Sequence, residues 1–162
     1  MADVWVLDAS PLILLGKVGQ ATLPARLAEV VVVPDGVVGE VGVREEGLET
    51  LARLRETPKV QFPGPVAVPA SISVWDLGTG ESDVLAHCCA NSGSCRAVVD
   101  DLRARQCAAA FGIPVVGTIG IVLRAKQLGV VSSARPLVEA LLESGLYMTE
   151  DLVRQALSLV GE

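Results

Sequence analysis

The run Val4 to Leu7, VWVL, is apolar at every position and stops on a carboxylate, Asp8, which is followed by Ala9, Ser10 and Pro11. A short unbroken apolar run suits a strand covered on both faces, the environment of a parallel sheet. Parallel neighbours require crossover connections, so strands of this kind must alternate with helices. An acid at the carboxyl end of such a strand stands where open α/β sheets collect their ligands.

The rest of the chain supplies that alternation. Val30 to Val33 is a second apolar run, stopped by Pro34. Ala97 to Val99 is another, ending at Asp100 and Asp101, and Val115-Val116 follows the turn Gly112-Ile113-Pro114. A helix is predicted after Asp8, with Ser10 as its cap, Pro11 at its first position and Gly16 to Gly19 ending it. Helical spacing predicts further helices over Leu23 to Glu29, Asp35 to Glu46, and Leu48 to Glu56, with Gly47 as the break between the last two. Pro58, Pro63, Pro65 and Pro69 punctuate a loop-rich section with room for short strands near Val60 and Ile72. A helix over Glu81 to Asn91 is expected to be capped by Thr79 or Gly80. Others are expected over Leu102 to Phe111, from Gly117-Thr118 to Leu128, over Ala134 to Ser144, and from Thr149 to Val160.

Hydrophobic residues make up 51% of the 162 residues and aromatics 3%, so the core must be built from Val, Leu, Ile and Ala. That length suits a single domain over residues 1–162, large enough to fold without a covalent staple. The formal net charge of -6 argues against a protein that coats nucleic acid through bulk positive charge. It leaves a nuclease open, because clustered acids count against the total and a bound cation reverses their local effect. Cys88, Cys89, Cys95 and Cys107 form no CxxC pair, and His87 is the only histidine; buried free thiols fit better than a zinc site. No basic stretch precedes an apolar run at the N-terminus, and Arg124 and Lys126 interrupt the apolar stretch Ile113 to Val131. A soluble, cytoplasmic protein without a membrane span is expected.

Four acidic stretches adjoin apolar runs: Asp8, Glu40, Glu81, and Asp100-Asp101. At 100° per residue, Val84, Leu85, Cys88 and Cys89 define one face of their helix; Glu81 falls near the middle of it and Asp83 about half a turn away. Glu81 is therefore expected on the buried stripe, and Asp83 in solvent as a first-turn acid. These carboxylates are expected to meet around Asp8. Two unit charges about 4 Å apart repel by roughly 4 kcal/mol at an effective dielectric of 20, so such a cluster needs raised pKa values or a counter-ion. Oxygen donors without His or Cys favour Mg²⁺ or Mn²⁺, which can activate a water and stabilise the charge that develops in phosphodiester cleavage.

The segments VLDASPLILLGKVG, VVPDGVVGEV, LGTGESDVLA and VVDDLRAR, followed by GIPVVGTIGIVLRAKQLGV, occur in an order and at spacings that resemble the PIN domain. Within it, they look like the small prokaryotic members described as predicted nucleic-acid-binding proteins. The resemblance covers nearly the whole chain from Asp3. It implies a PIN-like three-layer α/β/α sandwich with a central, mostly parallel sheet, and an acidic pocket holding Mg²⁺ or Mn²⁺. It implies ribonuclease activity on single-stranded RNA that leaves a 5′-phosphate and a 3′-hydroxyl. Many relatives are toxins of toxin–antitoxin pairs and dimerise, so an antitoxin partner and a homodimer are implied too. Carried over by position, the first acid is Asp8, the helix glutamate Glu40, the third acid Glu81, and the fourth Asp100 or Asp101. Many PIN domains have aspartate where this chain has Glu81, and a TxD-like motif where it has VVDD. Ser10 matches a small polar residue near the metal. Arg103, Arg105 and Lys126 are candidates for phosphate contacts, against the reading of each as a solvated helix residue.

The expectation is thus a divalent-metal-dependent ribonuclease cleaving RNA through a metal-activated water, with a toxin-like role. The alternative is a PIN-fold module that binds RNA or protein with weak or no catalysis. Other Mg²⁺ phosphoryl-transfer proteins fit less well. Aspartyl-phosphate phosphatases want a second Asp where Ser10 stands, and receiver domains place their acidic pair in the first strand, whereas VVDD comes late.

Overall fold

The computed structural model describes residues 3–162. Five strands form one sheet: β1 (Val4–Leu7), β2 (Val30–Val32), β3 (Val60–Gln61), β4 (Cys95–Val98) and β5 (Val115–Val116). All four pairings are parallel and the spatial order is β3-β2-β1-β4-β5. The central strand is β1. Its Trp5, Val6 and Leu7 are fully buried, as a strand with helices on both faces requires. The chain leaves β1 towards β2 and β3 on one side, then returns to β4 and β5 on the other. The crevice between the carboxyl ends of β1 and β4 is therefore the switch point of the sheet.

Ten helices among the described residues cover the sheet: α1 (Ala9–Lys17), α2 (Leu23–Leu27), α3 (Asp35–Val41), α4 (Glu45–Arg55), α5 (Ala70–Ser73), α6 (Thr79–Ala90), α7 (Leu102–Ala110), α8 (Thr118–Gln127), α9 (Arg135–Glu143) and α10 (Glu150–Ser158). α6 lies on β1 and β4 with α7 beside it, while α1 touches α4, α8 and α9. Right-handed crossovers put these two groups on opposite faces, giving the three-layer α/β/α sandwich. α3 spans the layers at the carboxyl edge, touching both α1 and α6. None of these helices is long and apolar enough to cross a membrane.

Three local expectations are corrected. Ile72 is buried in the short helix α5, not in a strand, because Pro69 supplies the extended residue before a turn of helix. Gly47 does not break a helix. The break comes earlier, at Gly42 to Arg44, and Gly47 sits in the first turn of α4, where a Cβ would run into the Val41 carbonyl oxygen. It marks a close helix approach. Ser10 is not a cap: α1 starts at Ala9, Asp8 holds the N-cap position in extended conformation, and Ser10 is exposed.

Candidate functional site

Asp8 follows the last residue of β1. Its N–H donates to the Val98 carbonyl at 3.0 Å, which fixes the end of β1 against the end of β4. The residue is 3% exposed, and its Oδ1 is buried with no hydrogen-bond partner. Although Asp8 stands at the N-cap position, its side chain makes no cap bond. Burial pushes this carboxyl up to about 7, with the charges of Glu81, Glu40 and Asp100 adding to the effect and the Ala9 N–H opposing it. An unpartnered carboxylate oxygen among other acids is costly unless it is protonated or meets a cation.

Glu40, on the last turn of α3, is an exposed residue that reaches across to α6, where the Gly80 N–H donates to its Oε1 at 2.8 Å. A second carboxylate makes the converse contact. The Gly36 N–H, in the first turn of α3, donates to Asp83 Oδ2 at 2.8 Å. Each helix thus uses an acid to satisfy an orphan N–H in the first turn of the other. Both receiving positions are glycines, and a Cβ would lie 2.6 Å from Asp83 Oδ2 at Gly36 and 3.0 Å from Glu40 Oε1 at Gly80. Asp83 is therefore buried, which corrects the expectation of a solvated first-turn acid. α6 packs against α3 as well as against the sheet, so it has a second buried face. Asp83→Ala should cost about 2 kcal/mol by leaving the Gly36 N–H unpaired beside a void. Asp83→Asn, whose carbonyl oxygen can still accept, should lose under half as much. Chemical denaturation of the three proteins reads the difference, and equal losses would sink the hydrogen-bond account.

Glu81 is half-buried in the first turn of α6. It curls back to accept from the Gly78 N–H at 3.3 Å. The N-cap is accordingly Gly78, not Thr79 or Gly80, and Glu81 supplies the reaching-back half of a capping box. Burial raises its pKa first, then the charges of Asp101 and Glu40.

At the end of β4 the two aspartates divide. Asp100 accepts from the backbone N–H of Thr118 at 2.8 Å and from its hydroxyl at 2.6 Å. Thr118 is fully buried at the start of α8, a supporting role invisible until β4 and β5 are seen as neighbours. Asp101 is exposed and caps α7, accepting from the Ala104 N–H at 3.0 Å. Arg105 donates through Nε to the Val99 carbonyl at 3.1 Å, and its guanidinium lies against Gly117, where a Cβ would meet Nη2 and stand 3.0 Å from Asp100 Oδ1. Arg103 donates to the Trp75 carbonyl at 2.6 Å. Lys126 donates to the Ser132 carbonyl at 2.6 Å, at the far end of α8. Eight residues of helix separate it from Thr118, roughly 12 Å at 1.5 Å per residue.

The structure therefore brings Glu81, Glu40 and Asp100 within range of the Asp8 carboxylate, and Glu40 and Asp101 within range of Glu81. As the side chains stand, no three His, Cys, Asp or Glu residues among those described are grouped tightly enough to hold an ion. Glu40, Asp100 and Asp101 are each engaged by a backbone N–H. The donor set is all oxygen and Asp8 Oδ1 is unclaimed, which fits a hard divalent cation. Beside Glu40, a groove of about 700 Å³ runs between α1 and α4, lined by Ile13, Lys17, Val43, Arg44 and Arg53 among others.

No curated protein matches the chain. A family described as PIN domain matches residues 4–162. That match takes in every strand and helix around the switch point, and on it the chain belongs to the PIN domain family, a nuclease-type fold.

Proposed function

We propose that the protein is a divalent-metal-dependent ribonuclease acting on single-stranded RNA. The observation that carries this reading is Asp8: a buried carboxylate with an unpartnered oxygen, at the switch point of a parallel sheet, facing the charge of three further acids. Asp8, Glu81 and Asp100 would hold Mg²⁺ or Mn²⁺, which would supply charge neutralisation and an activated water for attack on phosphorus. Around it, the chain's own groups divide the remaining tasks. Thr118 fixes the Asp100 carboxylate through two hydrogen bonds, so that its orientation is set before anything binds. Glu40 stands beside this set as an acid that can take up a proton, tethered by the Gly80 N–H. Arg105 is held at Nε by the Val99 carbonyl, and its Nη donors, beside Gly117 and Asp100, offer a positive charge for a scissile phosphate. Ser10, exposed one residue into α1, is positioned for a weaker polar contact. Asp101 is assigned to capping, and Arg103 and Lys126 are assigned to the backbone carbonyls they already bind.

One observation favours a second reading, a binding module without catalysis: Glu40, Asp100 and Asp101 are already satisfied by backbone donors. One assay separates the two. The purified protein is incubated with a mixed-sequence RNA and Mn²⁺ or Mg²⁺, beside Asp8→Asn. Metal-dependent cleavage reduced at least about 100-fold in the variant is expected, because Asp8 would help hold the ion that activates the water. Equal cleavage by both proteins would expose a contaminant, and RNA binding without cleavage would establish the module.

A further inference from the structure

At the edge of the sheet opposite the acids, three thiols gather around a cavity. Cys88 lies in the last turn of α6 and Cys95 opens β4, so the pair brackets the short turn between those elements. Both are buried, and the two thiols lie within reach of each other. A cavity of about 290 Å³ opens onto them, lined by Cys88, Cys89, Cys95, Phe111, Ile113 and Pro114 among others. Cys107, by contrast, is buried in α7 and does not line the cavity. Small buried hydrophobes explain one such cysteine. They do not explain two thiols in contact beside an opening large enough for a small reagent. The described residues offer no grouping suited to a metal here, so the chemistry open to the pair is that of sulfur itself.

We propose that Cys88 and Cys95 are an oxidisable dithiol that reacts with a hydroperoxide entering this cavity and closes to a reversible disulfide. The inference is independent of the nuclease reading. The Cys88 thiol donates towards Cys95, which brings Cys95 down to about 7 and pushes Cys88 well up. Cys95 is accordingly the attacking thiolate and Cys88 the resolving thiol. The Cys95 sulfur attacks one peroxide oxygen, the O–O bond breaks, and the departing oxygen leaves as water after taking up a proton. The resulting Cys95 sulfenic acid is attacked by the Cys88 sulfur, the S–O bond breaks, and a second water leaves. Two thiols lose two protons and two electrons, and hydrogen peroxide becomes two waters. Cys89 lines the same cavity but follows Cys88 by 100° around the helix, so it is not aimed at Cys95 in the same way.

The test uses the full chain, reduced and then treated with a small excess of hydrogen peroxide before the free thiols are blocked. Intact mass should show the loss of two hydrogens, peptide mapping should join Cys88 to Cys95, and dithiothreitol should restore the starting mass. Cys89→Ser should behave as the parent, whereas Cys95→Ser should slow thiol loss about tenfold or more. Cys88→Ser, which keeps a hydroxyl donor towards Cys95 but removes the resolving sulfur, provides a check that does not depend on the Cys95→Ser fold: it should leave a sulfenic acid on Cys95 that dimedone captures. A disulfide through Cys89 or Cys107, an intermolecular one, or no dimedone adduct in Cys88→Ser would overturn the proposal.

Discussion

In metal-free buffer at pH 8, Asp8→Asn should melt higher than the parent protein. The parent must hold a buried carboxylate in its charged form at that pH, without a partner for Oδ1 and among other acids. Asparagine has the same shape and no charge, and its amide can donate to those neighbours. The pH dependence has a definite sign. The Asp8 carboxyl is raised from 3.8 to about 7 in the folded protein, so between those values the native state binds the extra proton. Its contribution to stability is complete below about pH 4, falls as pH rises, and is gone above about pH 7. The shift corresponds to about 4 kcal/mol, or roughly 10 °C in a chain of this size. The advantage of Asp8→Asn should therefore be near zero at pH 4, grow through pH 7, and level off. Glu81 is raised as well, but it is present in both proteins and largely cancels in the difference. Adding Mn²⁺ at pH 8 should raise the melting temperature of the parent and leave the variant almost unmoved, which reads ion binding without reference to RNA cleavage. A variant less stable than the parent at pH 8, or a difference that does not change with pH, would remove the basis for the site.

Much of the frame is legible in the sequence because it depends on local pattern. The run Val4–Leu7 announces a buried central strand, and Thr149, where the last helix is expected to begin, accepts from the Leu152 N–H at 3.3 Å as its cap. Asp101 before Leu102 is a similar case, since a cap three residues from Ala104 is a short-range geometry. What the sequence hides are contacts across distance. Asp83 looks solvated when α6 is given only one buried face, and the second face exists because α3, more than 40 residues earlier, lies along it. Glu40 is likewise one glutamate among many until its partner, the Gly80 N–H, is known. Thr118 reads as the start of a helix; that it clamps Asp100 follows only from β5 lying next to β4. Local pattern thus finds the acids, and tertiary packing decides which are held by backbone donors and which, as Asp8, are left with an unclaimed oxygen.

Gly47→Ala and Gly39→Ala should move stability in opposite directions, although both place alanine in a helix. Alanine is the better helix former by about 1 kcal/mol, and at Gly39 nothing lies within 4 Å of the added Cβ. That variant should gain up to about 1 kcal/mol. At Gly47 the same methyl group would occupy the place of the Val41 carbonyl oxygen, a backbone atom that cannot swing aside as a side chain can. The two helices must separate, and overpacking of this kind outweighs propensity, for a net loss of about 3 kcal/mol. The consequence extends to the acids. Val41 follows Glu40 directly, so moving the end of α3 draws the Glu40 carboxylate away from the Gly80 N–H that holds it 2.8 Å off. Gly47→Ala should therefore lower RNA cleavage even at a temperature where it is fully folded, while Val43→Ala, at an 80% exposed position in the same connection, should not. Thermal melts and cleavage rates on the three variants check both halves. A Gly47→Ala protein as stable as the parent would show that α3 and α4 have room to part, and an unchanged rate would show that Glu40 does not need its tether.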